Sequence, residues 1–291
     1  MNLKDNYFLL LILVCLAIFF VNLDAIYVNI MEARNFITAR EMLSMDHWIF
    51  TSINNEPRYE KPPLPTWMTA ISMFLLGAKN LFALRLPAAI MGTLTVLFIY
   101  KLGVKTTSNR KYAFLAGLVA ATSFYILYSG RDGQWDIFTH GFMIIAIYFI
   151  WRLFTETSKT YSNALISGVF IGFSFLSKAP VSMYALLLPF LISFGAVYKY
   201  RNFKSLLKPI GLLLASAIVI SASWTLYVYL FDTQAVTSIT NREASRWLDY
   251  NVRPFYYYWS FVIQSGIWTL PAFVGLLYPY LKSRVMNKKA N

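Results

Sequence analysis

Acid and cysteine are scarce in this chain. Its 291 residues hold thirteen Asp and Glu, two His and one Cys. A lone Cys15 can form no disulfide within the chain, and His47 and His140 are too few and too far apart to suggest a zinc site. Internal repeats, low-complexity runs and long linkers are also missing, which argues against a modular or solenoid protein. No nucleic-acid motif accompanies the basic pI of about 9.7.

What is abundant is apolar surface: 58% of the residues are hydrophobic, 18% are aromatic and only 13% are charged, with a mean hydropathy of +0.52. Such a composition excludes an ordinary soluble domain and predicts an all-α polytopic membrane protein, read as one integral membrane unit over residues 1–291. Eight apolar runs are candidate spans: 7–23, 81–103, 112–130, 137–154, 163–177, 181–198, 209–230 and 256–281. The first lacks a small-residue cleavage site and reads as a retained helix. The apolar stretch 65–80 breaks at Gly77 after about a dozen residues, so it is expected to lie along the outer interface with Trp67 as an anchor.

Charge sets the orientation. With the N-terminus inside, segments 1–6, 101–111, 152–162, 199–208 and 282–291 carry fifteen Lys and Arg against only Asp5 and Glu156, so they account for the whole formal charge of +13. The remaining eleven bases and eleven acids fall outside and cancel. This is the positive-inside pattern, with anionic lipid as the counterpart of the basic face.

The outer segments are then 24–80, 131–136 and 231–255. Within the first, "IMEARNFITAREML" spaces Ile30, Met31, Phe36, Ile37 and Leu43 as an amphipathic helix on the membrane surface would. It is followed by "EPRYEKPPLPTW", where four charges meet four prolines, so Glu60 and Lys61 are expected on a rigid, non-helical strut. Non-helical backbone at membrane depth is tolerated where it lines a polar cavity.

Glu32, Lys61, Asp136, Lys178 and Arg253 come from five parts of the sequence, yet the topology gathers them all at the outer face. Lys178 sits alone between apolar runs, where an uncompensated ammonium costs at least a few kcal/mol, so it needs an anionic partner: a protein carboxylate or a lipid phosphate. Asp136 fits the first turn of a helix as well as it fits an active site, and Glu32 fits a solvated helix face. Arg131 and Asp132 are expected to pair with one another or with water. A lipid-linked sugar transporter would show midplane charges and a repeat; neither is visible, and a non-catalytic assembly subunit is the remaining alternative to an enzyme.

In order along the chain, "MEARNFITAREML", "PRYEKPPLPTW", the basic residue of "LRLPAAIMG", "GRDGQWD" and "GFSFLSKAP" resemble the bacterial members of the protein O-mannosyltransferase and lipid A aminoarabinose transferase family, membrane glycosyltransferases of the GT-C superfold. The resemblance covers most of residues 1–280 and implies a transferase that moves a sugar from a polyprenyl-phosphate carrier to a lipid or protein acceptor at the outer, periplasmic face of a bacterial inner membrane. It implies Glu32 and Asp136 as the catalytic acids of the two loops, either of which would serve as the base for an acceptor hydroxyl, Lys61 and Lys178 at the donor phosphate, and Glu60 and Arg85 in support; Arg253, as a further fixed cation at the outer face, is expected to join the phosphate group, and Arg58 of the charged strut to support it. The family often has Asp-Glu where this chain has Met31-Glu32. Aminoarabinose transferases have a histidine where this chain reads "REASRW", so no metal is assigned and the cofactor requirement is open. Family members tend to be longer, with further spans and often a C-terminal portion, so the resemblance implies a fragment or a short variant.

Overall fold

The computed structural model describes residues 6–198, 203–248, 254–259 and 264–288. The chain is almost entirely helical. Helix α1 (Tyr7–Cys15) continues through a π-helical turn, Leu16–Phe20. Then come α2 (Ile30–Met45), a two-residue hairpin β1 (Ser52–Ile53) and β2 (Glu56–Pro57), α3 (Leu64–Leu76), α4 (Leu81–Thr107), α5 (Arg110–Thr122) and α6 (Phe124–Ser129). The remainder is α7 (Asp136–Thr155), α8 (Thr160–Lys178), α9 (Leu188–Tyr198), α10 (Leu207–Phe231), α11 (Thr233–Leu248) and α12 (Thr269–Lys288).

Leu81–Thr107, Asp136–Thr155 and Phe203–Phe231 are long and apolar enough to cross a membrane, and the apolar helices Tyr7–Phe20 and Met183–Tyr198 are shorter. The chain is an integral membrane protein, but the eight expected crossings do not all appear as continuous helices. The run 112–130 breaks at Ser123, whose extended backbone (φ −65°, ψ 132°) separates α5 from α6. The run 256–281 is not one helix either: Phe255–Trp259 is 3-10 and α12 begins only at Thr269. The segment 231–255, read as a loop, is helical over Thr233–Leu248.

The bundle is polarised end to end. Arg85 near the start of α4 and Asp136 at the start of α7 lie at one end. At the other, Lys105 and Arg152 hold Glu156 at 2.7 and 2.8 Å. Close packing of α8 on α10 depends on Gly168 and Gly172, one helical turn apart: a Cβ at Gly168 would lie 2.4 Å from the Leu213 carbonyl oxygen, and one at Gly172 2.6 Å from the Ile220 side chain.

The α2 expectation needs correcting. Its buried face is mixed: Glu32, Asn35, Thr38 and Glu41 are buried alongside Phe36, Ala39 and Met42, while Ile30 is 71% exposed. Hydrogen bonds explain the polar share. Glu41 accepts from Ser52 Oγ at 2.5 Å and Asn54 N at 2.6 Å, pinning the hairpin, while Asn35 Nδ2 donates to the Gly133 carbonyl at 2.7 Å. Trp67 is no outward anchor, because its indole N–H donates inward to the Trp48 carbonyl at 2.7 Å. Pro63 adopts helical backbone (φ −88°, ψ −7°) as the cap of α3, so the strut ends immediately before it.

Candidate functional site

Two clusters occupy the end of the bundle that holds Arg85 and Asp136. The first ties α2 to the loop before α7. Asn29 caps α2, its Oδ1 accepting from Met31 N and Glu32 N at 2.9 and 3.0 Å. This directs Glu32 inward, where Arg85 donates to both carboxylate oxygens at 2.6 and 2.8 Å and Gly133 N donates to one of them at 2.8 Å. Arg85 also donates to the Leu23 carbonyl at 3.0 Å. A Cβ on Gly133 would meet the Phe36 ring at 2.5 Å, so the close approach of this loop to α2 requires glycine. Glu32 thus has a full set of partners and no exposure to solvent.

Arg131 and Asp132 do not pair, contrary to expectation. Arg131 donates to the carbonyls of Ile18, Val21 and Asn22 at 2.5, 2.9 and 2.5 Å, closing the end of the first helix. Asp132 accepts from Asn29 at 3.1 Å and from Gln134, and its other oxygen is buried without a partner. Burial, then the nearby Glu32 carboxylate, raises the Asp132 carboxyl to about 6.

The second cluster surrounds the proline strut. Asp136 is the first residue of α7 and contacts the Lys178 ammonium from the last turn of α8, with both side chains partly open to solvent. The protein carboxylate is therefore the partner of Lys178 in this state. Lys61 lies within electrostatic reach of both. Its ammonium is pushed below the ordinary lysine range by burial first and then by Lys178, while Glu243 and Asp136 act in the opposite direction. Arg58 is buried with its guanidinium 5.0 Å from the Trp135 ring, and it donates to Thr38 Oγ1 at 2.8 Å and the Arg34 carbonyl at 3.2 Å. Burial lowers it to about 10.

Beside these groups opens a cavity of about 690 Å³, with Arg34, Arg58, Glu60 and Lys61 on one wall and Arg242, Glu243 and Arg246 of α11 on the other. Glu60 reaches across to Arg242 at 2.5 Å. Tyr59 donates to Asp232 at 2.7 Å. Asp136 and Lys178 do not line this cavity, but both act electrostatically on Lys61, which does. Arg253 lies outside the described residues. Arg242 was not singled out from the sequence, although the charge-rich "REASRW" in an outer segment was the available signal. Among the described residues no group of three metal-ligating side chains occurs.

Residues 60–226 match the family model described as dolichyl-phosphate-mannose-protein mannosyltransferase. The chain belongs to this family. Curated relatives include undecaprenyl phosphate-alpha-4-amino-4-deoxy-L-arabinose arabinosyl transferases from Photorhabdus laumondii, 24% identical over 270 residues, and Proteus mirabilis, 27% identical over 269. These alignments cover 88% and 89% of this chain but 47% of each relative, so the chain spans about half the length of the relatives it matches. The fold is that of ArnT from Cupriavidus metallidurans bound to undecaprenyl phosphate, at a TM-score of 0.77 and 20% identity over 94% of this chain and 50% of that one.

Proposed function

We propose that this chain transfers a sugar from a polyprenyl-phosphate carrier to a lipid A-like or protein acceptor, at the periplasmic face of a bacterial inner membrane. The observation that carries the reading is the convergence of Asp136, Lys178 and Lys61, from three separate segments, beside a cation-lined cavity at the acid-containing end of the bundle. Membership of the family and the likeness to arabinosyl transferases support it.

In this reading the acceptor hydroxyl attacks the anomeric carbon while the bond from that carbon to the carrier phosphate breaks. The phosphate leaves with the electron pair, and Lys61 and Lys178 stabilise its growing charge. Asp136 takes the acceptor proton, and Lys178 moves from the carboxylate toward the phosphate as charge shifts. Glu32 is given a positioning role here rather than that of a base, because both of its oxygens are held by Arg85 and Gly133. Arg58 holds the strut against α2.

The test is incubation of the purified protein, in lipid, with radiolabelled undecaprenyl-phosphate sugars and either lipid A or peptide acceptors. Label appearing on an acceptor with the parental protein and not with Asp136→Asn supports the reading, and no transfer from any of these donors removes it.

A further inference from the structure

The end of the bundle opposite Asp136 carries a second polar cavity, in which sugar transfer has no part. It encloses about 360 Å³ between the turn joining α7 to α8 and the start of α10. Hydroxyls line it, from Thr155, Thr157, Thr160, Tyr161 and Ser205, beside the Glu156 carboxylate. That carboxylate is already compensated on both sides, since Lys105 donates to one oxygen at 2.7 Å and Arg152 to the other at 2.8 Å. Lys159, between two of the threonines, and Lys204 and Lys208, which flank Ser205, are exposed. Five cations thus stand around one carboxylate, and the cavity keeps a surplus of positive charge beside its hydroxyls. Helix α8 also starts here without a side-chain cap, so its first amides add to the field that an anion would meet.

The cavity lies at the foot of an apolar groove. Phe154 lines both, and the groove, about 820 Å³, continues over Phe203, Ile210, Leu214 and Ile218 between α8, α9 and α10. The most apolar stretch of Phe203–Phe231 is only 17% buried within the protein, against 56% for Leu81–Thr107 and 67% for Asp136–Thr155. Leu214 and Ile218 are 53% and 64% exposed, so this face is left for an apolar occupant.

We infer that this end of the protein binds one anionic glycerophospholipid from the adjoining leaflet, its phosphate among Lys159, Lys204 and Lys208, its headgroup in the cavity and an acyl chain along the nearest part of the groove. The two compartments match the two halves of such a molecule. A phosphodiester supplies the negative charge that the lysines call for, and a polyol headgroup such as glycerol can both donate to the Glu156 carboxylate and accept from the threonine hydroxyls. A choline headgroup would instead bring a cation against Lys105 and Arg152 and offer no hydroxyl. An apolar helix of a protein partner would cover the groove but leave the lysines and hydroxyls at its foot without a counterpart.

Native mass spectrometry of the delipidated chain, mixed in detergent with equimolar dioleoylphosphatidylglycerol and dioleoylphosphatidylcholine, tests this. One phosphatidylglycerol per chain is expected to survive collision energies that strip phosphatidylcholine. It should also raise the melting temperature, whereas soluble glycerol phosphate should not. Lys204→Gln with Lys208→Gln should weaken phosphatidylglycerol binding roughly thirtyfold, the loss expected for two lysines beside an anionic headgroup. Both side chains are exposed, so the fold is expected to persist. Leu214→Trp, which fills the groove from an exposed position, should weaken the same lipid with every lysine in place. The site is overturned if phosphatidylcholine is held as firmly, if the double lysine variant or Leu214→Trp binds phosphatidylglycerol like the parent, or if glycerol phosphate alone gives the full rise in melting temperature. It is equally overturned if undecaprenyl phosphate displaces the lipid mole for mole, which would give the groove to the carrier, or if the delipidated chain self-associates through a contact that Leu214→Trp abolishes, which would give the face to a second copy.

Discussion

Glu32 and Arg85, 53 residues apart, form a bidentate ion pair at 2.6 and 2.8 Å from which solvent is excluded. Because the same carboxylate accepts the Gly133 amide, this pair fixes the loop leading to Asp136 relative to α2 and α4. A buried pair adds little net stability over apolar residues of the same shape, yet removing one partner strands a charge at a cost of roughly 3–5 kcal/mol. Arg85→Leu is therefore expected to lose most folded protein in size-exclusion profiles. Arg85→Leu combined with Glu32→Leu should recover part of the yield but little activity. A single variant that folds as well as the parent would show that the pair is not what holds the loop.

Lys61 offers the opposite contrast, since it sits on a strut outside the helix core. Lys61→Ala should leave folding intact and weaken use of the lipid donor by more than tenfold, given roughly 1.5–3 kcal/mol for a charge-assisted contact. Kinetics over a range of donor concentrations check this, and parental kinetics in well-folded Lys61→Ala would take the residue out of the site.

Both clusters were partly legible from the sequence. Positive-inside charge and the isolation of Lys178 between apolar runs gathered Glu32, Lys61, Asp136 and Lys178 at one end, because the energetics of ions in membranes leave few alternatives. The face of α2 was only half legible, for Phe36 is buried as its spacing suggested but polar residues are buried beside it. Apolar spacing suggested a helix lying on lipid, whereas Asn35, Glu41 and Glu32 turn inward to hydrogen bonds supplied by segments distant in sequence. Periodicity reports apolar burial, and a buried polar network leaves no such trace. The ion pair of Arg242 with Glu60, 182 residues apart, was hidden for the same reason.

Asp132 should make stability depend on pH. Its folded carboxyl is raised from 3.8 to about 6 by burial and Glu32, so the folded state binds this proton more tightly than the unfolded chain does. The associated stability is fully present below about pH 4 and is lost as pH rises through about 6. Asp132→Asn keeps an acceptor for Asn29 and Gln134 without the charge. It should raise the melting temperature at pH 7.5, by a free energy on the order of 1–2 kcal/mol, and change it little at pH 4. An equal effect at both pH values would rule out titration of Asp132 as the cause.

Orientation can be read by accessibility. Asn55 lies at the exposed tip of the hairpin, and Ser158 is exposed between α7 and α8 at the opposite end of the bundle. In intact spheroplasts, an impermeant thiol reagent should label Asn55→Cys and spare Ser158→Cys, with lysis exposing both. The reverse pattern would place every candidate site residue in the cytoplasm.

Asp136 carries the sharpest prediction, because its position at the first turn of α7 gives it a structural alternative. Asparagine serves at a helix start nearly as well as aspartate, and Asp136→Asn leaves the size and shape of the residue unchanged. If the carboxylate takes the acceptor proton, the amide should reduce turnover by about 10²- to 10⁴-fold without weakening the binding of undecaprenyl phosphate. Lys178 loses its protein partner in this variant and becomes free for phosphate, so carrier affinity should rise rather than fall. Lys178→Met should do the reverse, weakening carrier binding and leaving Asp136 without its counter-charge. Measuring turnover and carrier affinity in both variants separates the roles. Parental turnover in Asp136→Asn would leave the residue as a helix-start acid and the transfer chemistry without its base.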